Sequence, residues 1–166
     1  MLKTDKIDIH IVELLMQDGR MPAVEIARRI GGISERVVRY RIARMLEEGL
    51  ITISAIVHPQ KAGYMVAADV FLEVEAGLIQ DVARKLMESD RISYVACSIG
   101  ETDVSAQVLG KDTAEIYHFI TEVIGKIPGV RKTTTSIVPI VLKDVYQWQI
   151  PSFEEEGGHI PVRIPS

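Results

Sequence analysis

Residues 23–50, AVEIARRIGGISERVVRYRIARMLEEGL, decide how this chain is read. Ile26, Ala27 and Ile30 recur at helical spacing behind Pro22, a residue suited to the first turn of a helix because its missing N–H is not needed there. Gly31-Gly32 breaks that helix. Ser34 is placed to cap another, running to about residue 48 with Gly49 as its stop. At the helical angle per residue, Ile42 and Met45 fall within about 40° of Val38 and define a buried side. Arg36, Tyr40 and Ala43 point the opposite way, Arg39 and Arg44 flank them, and Arg41 sits at the edge of the buried side. Two short helices split by a glycine turn, the second with an arginine-rich outer face, describe a helix-turn-helix.

Working upstream, Thr4 or Asp5 can cap a first helix whose apolar stripe is Ile7, Ile11, Leu14 and Leu15, with Gly19 as a left-handed stop. The three helices make a helix-turn-helix domain over residues 1–50, with a core small enough to need support from the rest of the chain or a second subunit.

Downstream, LITISAIVH over residues 50–58 reads as a strand, and His58-Pro59 and Gly63 mark a turn, so residues 51–65 form a strand and linker. From residue 66 the period changes to two: Ala68, Val70, Leu72 and Val74 alternate with Asp69, Phe71 and Glu73. A helix over about 77–89 follows, with Leu78, Val82, Ala83 and Leu86 inward. Strands come next at about 92–99 and 103–109, then a helix at about 112–127 with Ile116, Ile120, Val123 and Ile127 inward, then a strand at about 130–142. The expected fold class is therefore α+β, with the helix-turn-helix followed by a ferredoxin-like βαββαβ domain over residues 66–143. The sheet face away from the helices, with Phe71, Val138 and Ile140, reads as too apolar to be wet and so as a homodimer surface. The tail, residues 144–166, is expected to dock through Trp148 at its start and to be partly flexible beyond it.

The apolar fraction of 47% and charged fraction of 25% are those of a soluble globular protein. No apolar run approaches the roughly 20 residues that span a bilayer, and the opening MLKTDKIDIH is unlike a secretory signal. A cytoplasmic location with no membrane partner is expected. Cys97, the sole cysteine, excludes an intrachain disulfide and reads as a packed strand thiol. His10, His58, His118 and His159 are scattered without metal-ligand spacing, and no glycine loop for phosphates is present. No catalytic residue, metal or cofactor is expected.

The net charge of −4 hides a split: residues 1–64 carry ten Lys/Arg against eight Asp/Glu, and residues 65–166 carry nine against fifteen. Six arginines and one acid, Glu35, fall within residues 28–44. A polyanion responds to that local field, so double-stranded DNA is the expected partner. Glu35, Arg36 and Arg39, beside the capping Ser34, are assigned to base edges, because a recognition helix meets the major groove by its N-terminal part. Arg41 and Arg44 are assigned to phosphates, with Arg28 and Arg29 from the preceding helix, and Tyr40 to a phosphate or sugar. Arginine counts do not separate base reading from phosphate binding, so a DNA-packing protein of low sequence preference stays open as an alternative.

DKIDIHIVELLMQDGR (residues 5–20), EIARRIGGISERVVRYRIARMLEEGLI (25–51), SAIVHP (54–59), SIGETDVSAQV (98–108) and IPGVRKTTTSIV (127–138) together resemble the Lrp/AsnC family, the leucine-responsive or feast/famine regulators. The resemblance covers about residues 3–143. It implies a DNA-binding transcriptional regulator, dimers that assemble further into octamers, and an amino acid as effector. It also implies an effector site at the loop of Gly100, Thr102 and Asp103, with Thr133, Thr135 and Ser136 on the last strand. A carboxylate there suits an α-ammonium group, and hydroxyls suit a carboxylate. One departure stands out: the family has a single glycine before the recognition helix, and Gly31-Gly32 lengthens that turn. The sirohaem decarboxylases resemble this chain in layout, but their histidine-asparagine-tyrosine segment is missing near Ser93-Tyr94.

Overall fold

The computed structural model describes residues 4–148. Three helices come first, α1 (Lys6–Gln17), α2 (Ala23–Ile30) and α3 (Glu35–Glu47). The Asp5 carboxylate accepts from the N–H groups of Ile7 and Asp8, and Asp8 accepts from the Asp5 N–H in return, a reciprocal capping box. Ile11, Ile26, Val38 and Met45, fully buried, form the centre of the three-helix core. Ser34 caps α3 through Val37 N–H, and Gly49 follows the helix with φ 69°, both as expected. Gly19 does not act as a left-handed stop. Asp18 does the turning instead: its N–H bonds Leu14 O, and its carboxylate accepts from Arg20 N–H.

Between α2 and α3, Gly31 adopts φ 73°, ψ 154° and Gly32 φ 69°. The first of these lies in a region of backbone space that is nearly closed to residues with a Cβ. Gly31→Ala is therefore expected to cost about 1–3 kcal/mol of unfolding free energy although the space around it is open. Urea unfolding of the variant checks this; an unchanged midpoint would show that the turn relaxes freely.

Residues 51–58 form no strand, contrary to the expectation for 50–58, and Ile53, Ile56 and Val57 are exposed. An alternating apolar run becomes a strand only where a ladder partner takes up its backbone groups, and none of the described strands pairs with it. Contacts place residues 56–142 in a unit of their own, separate from the one that holds the three helices.

That second unit runs β1 (Val66–Val74), α4 (Ile79–Met87), β2 (Ile92–Cys97), β3 (Val104–Gly110), α5 (Thr113–Glu122) and β4 (Val130–Val138). The strands make one antiparallel sheet in the order β2-β3-β1-β4, which is the ferredoxin-like arrangement. Val70, Leu72, Val104 and Val108 face the helices and pack with Leu86, Ile116 and Ile124. The helix expected to reach residue 127 ends at Glu122 and tightens into a 3-10 turn, Ile124–Lys126. Tighter winding turns the side chains by about 120° per residue instead of 100°, so Val123, expected inward, is exposed and Ile124 is buried. The last strand, expected to reach residue 142, stops at Val138, before Pro139 with its missing donor. Ile140 therefore lies beyond the sheet.

The open sheet face is more polar than the sequence reading had it. Register places Asp69 beside Gln107 and Ser136, and Phe71 beside Ser105 and Thr134. Gln107 donates to Asp69 at 3.2 Å, and Lys132 pairs with Glu73 at 2.8 Å. Cys97, expected to be packed, is exposed at the end of β2. Trp148, expected to dock, is 62% exposed. The flexible-tail expectation falls beyond it, outside the described residues. Among the described residues no helix is long and apolar enough to cross a membrane.

Candidate nucleic-acid interface

The outer face of α3 is built as its phase requires: Val38 and Met45 are buried, while Arg36, Arg39 and Tyr40 are exposed. Arg36 has no ion-pair partner among the described residues. The Arg39 Nε–H donates to the Glu35 carboxylate one turn earlier at 2.7 Å, and the guanidinium stays largely in water. On α2, Arg28 and Arg29 share one acid, Glu25, at 2.7 Å each. The hydrogen bonds from Arg28 and then Arg29 hold the Glu25 carboxyl down at about 2, so it stays ionised through neutral pH. Exposed pairs of this kind contribute little and exchange readily with a stronger anion. Ser34 Oγ is used as the α3 cap, with its hydroxyl proton still available.

Arg41 and Arg44 are placed differently from the sequence reading. Arg41 Nη1 donates to Asp5 at 2.8 Å and to Asp8 at 2.9 Å, and Arg44 Nη2 donates to Asp8 at 2.7 Å. Asp8 is 1% exposed. Both guanidinium groups thus tie α3 to the start of α1, whereas the guanidinium of Arg36 is paired with no acid among the described residues. The Asp5 and Asp8 acceptors in turn raise the Arg41 pKa above its usual value. Sequence reasoning missed Asp8 and Glu25. A signal for Asp8 existed: it lies three and four residues before Ile11 and Val12, on the inner face of α1.

The residues expected to hold an effector are only partly brought together. In the loop after β2, Ser98 N–H bonds Asp103 O, and Ser98 Oγ–H donates to Thr102 O. Asp103 Oδ2 accepts from Val74 N–H at 2.8 Å, while Oδ1 has no partner among the described residues. Gly100 sits in open space. Thr133 and Thr135 lie opposite Leu72 and Val70, on the helix side of the sheet; Ser136 lies opposite Asp69, on the other face. The structure separates Ser136 from the two threonines, because neighbouring strand residues point to opposite faces. Asp103 lies on the β3 side of β1 and Thr133 on the β4 side. Among the described residues no group of His, Cys, Asp or Glu is arranged to hold a metal.

A three-helix unit with an exposed basic recognition helix, joined to a ferredoxin-like sheet, defines the class of two-domain transcriptional regulators. Comparison with known proteins agrees. Residues 5–46 match the AsnC-type helix-turn-helix domain, and residues 61–150 match an AsnC C-terminal dimeric alpha+beta barrel domain. A helix-turn-helix transcriptional regulator of Pyrococcus furiosus is 37% identical over 140 residues, covering 84% of this chain and 94% of its own. The regulator LrpA of Pyrococcus horikoshii is 33% identical over 140 residues, 84% of this chain and 99% of its own. In fold, the chain is similar to E. coli AsnC, with TM-score 0.80 and 23% identity over 87% of this chain and 99% of that one. It is also similar to a Neisseria meningitidis transcriptional regulator solved in complex with L-methionine, with TM-score 0.79 and 22% identity over 86% and 94%. The chain belongs to the Lrp/AsnC family of transcriptional regulators.

Proposed function

We propose that this regulator reads its operators with Arg36 and Arg39 on α3, and is modulated by an amino acid held at Asp103. The free, outward guanidinium of Arg36 on the exposed face of α3 carries the first half. Arg39 and Glu35 complete the base-reading set. Arg28, Arg29, Ser34 and Tyr40 meet phosphates and sugar, Arg28 and Arg29 leaving Glu25 as they do so. The chain works in the cytoplasm as a homodimer, assembling further to an octamer, and we assign it no catalytic reaction. Binding to a duplex from its own promoter and to a random duplex, at one fixed salt, tests the reading. Arg36→Ala should narrow the gap between the two duplexes by about 1–3 kcal/mol. Equal affinities of the unaltered protein for both would overturn it.

The effector half rests on Asp103: one carboxylate oxygen is fixed by Val74 N–H, which orients the other toward a ligand. The L-methionine complex of the Neisseria relative supports an α-amino acid as the class. Thr133 and Thr135, across β1, serve the ligand's carboxylate, and Gly100 and Thr102 shape the loop. Ser136 points away from them. Asp103→Asn keeps an acceptor for Val74 and removes the charge, whereas alanine would orphan that N–H. We expect Asn to weaken amino-acid binding roughly tenfold to a hundredfold, since a charged hydrogen bond is worth about 1.5–3 kcal/mol. Calorimetric titration with the standard amino acids measures it; unchanged affinity in the variant would remove Asp103 from the site.

A further inference from the structure

On the helix side of the second unit, a cavity of about 540 Å³ opens between α4 and the α5 end, over β2. Its walls are apolar, formed by Leu78, Leu86, Ile92, Phe119, Ile124 and Ile127. It exists because α4 and α5 each pack on the sheet rather than on each other, and because the chain tightens into a 3-10 turn after Glu122 and swings Val123 outward. A volume of this order is that of a small-molecule site, and an apolar body with a few polar groups at one end is the usual chemistry of such sites.

The charged residues of the lining have a definite sign. Lys85 from α4 and Lys126 from the 3-10 turn both line the cavity. Each is exposed and, among the described residues, paired with one nearby glutamate, Lys85 with Glu88 and Lys126 with Glu122. Pairs so exposed are weak, so either ammonium can exchange its glutamate for another carboxylate. The one acid in the lining, Asp81, is already held by Arg84. The site thus offers two cations and no free anion.

We infer that this cavity binds an apolar monocarboxylate without an α-ammonium group, such as a medium-chain fatty acid, with its chain between the helices and its carboxylate at a lining lysine, Lys85 or Lys126. The amino-acid effector proposed above is a different ligand at a different place. An amino acid brings an ammonium group that the two lysines repel, and the carboxylate of Asp103 is not part of this cavity. The two readings stand or fall separately.

The test is titration of the full chain with sodium octanoate, followed by NMR of methyl and aromatic groups. We expect saturable binding in the micromolar to low millimolar range, about the strength of a few CH₂ groups and one ion pair. Shifts should centre on Leu78, Ile92, Phe119 and Ile127. Lys85→Met with Lys126→Met should weaken octanoate about tenfold. Val123 lines the cavity and is half exposed, so Val123→Trp should block it while leaving the melting temperature unchanged. n-Octylammonium should bind at least tenfold more weakly than octanoate. Binding absent at about 10 mM overturns the inference. So do equal affinity for octylammonium, shifts confined to the 100–103 loop, and Val123→Trp altering sedimentation without altering octanoate binding, which would give the groove to a second copy.

Discussion

Asp8→Ala is expected to destabilise the three-helix unit by about 3–5 kcal/mol, because it leaves a guanidinium without its buried counter-charge. Asp8 is shut away from water, and among the described residues the Arg44 side chain has no other partner; its Nε is already buried and unsatisfied. A unit of some 50 residues has little more stability than that to lose. Amide exchange should show protection lost across α1, α2 and α3 and retained in the sheet. Asp8→Asn, which keeps the acceptors for Asp5 N–H and for one arginine, should cost much less. Intact protection of α1 in the alanine variant would mean that the ion pairs contribute nothing net. Acid should act in the same direction. The Asp8 backbone N–H, and then Arg41, hold the Asp5 carboxyl below its ordinary value. A carboxyl so lowered stabilises the fold above the unfolded-state pKa, and that contribution disappears as pH falls through the folded one, so the loss belongs below about pH 4.

Affinity for DNA should fall about a thousandfold between 50 and 200 mM salt if a dimer neutralises about six phosphates, a log–log slope near −5. Arg28, Arg29, Arg36 and Arg39 from each chain are enough to supply such a number. Titration of fluorescent duplex across that salt range gives the slope directly, and a slope near zero would remove the proposed interface altogether. Glu25→Gln sharpens the test. It releases Arg28 and Arg29 from their shared acid, so binding to specific and random duplex should strengthen together, by the same factor. An effect on one duplex alone would place this pair on bases rather than phosphates.

Much of this was legible in the residues themselves. The glycine turn, the Ser34 cap and the phase of Val38, Ile42 and Met45 placed the recognition helix, because capping and helical phase are local. The alternation from Ala68 to Val74 placed the central strand for the same reason. Segments whose state depends on a distant partner were misplaced. Residues 50–58 carry a strand's alternation and find no ladder, and Val123 and Ile124 exchanged places when the helix tightened into a 3-10 turn.

By itself, the sequence determined the order of the helices and of the four paired strands and the buried side of α3 and β1, since these follow from spacing of apolar residues, caps and turns along the chain. Only the tertiary structure decided what the charges do. Six arginines within residues 28–44 look alike in one dimension. Packing of α1 against α3 brings Asp8 to Arg41 and Arg44, leaves Arg36 without an acid partner among the described residues, and so divides the set into a brace and an exposed face. The division between Ser136 and the two threonines, and the apolar cavity between α4 and α5, were likewise set by register and by helix placement on the sheet. Those are relations between residues far apart in the chain, and a pattern of neighbours does not contain them.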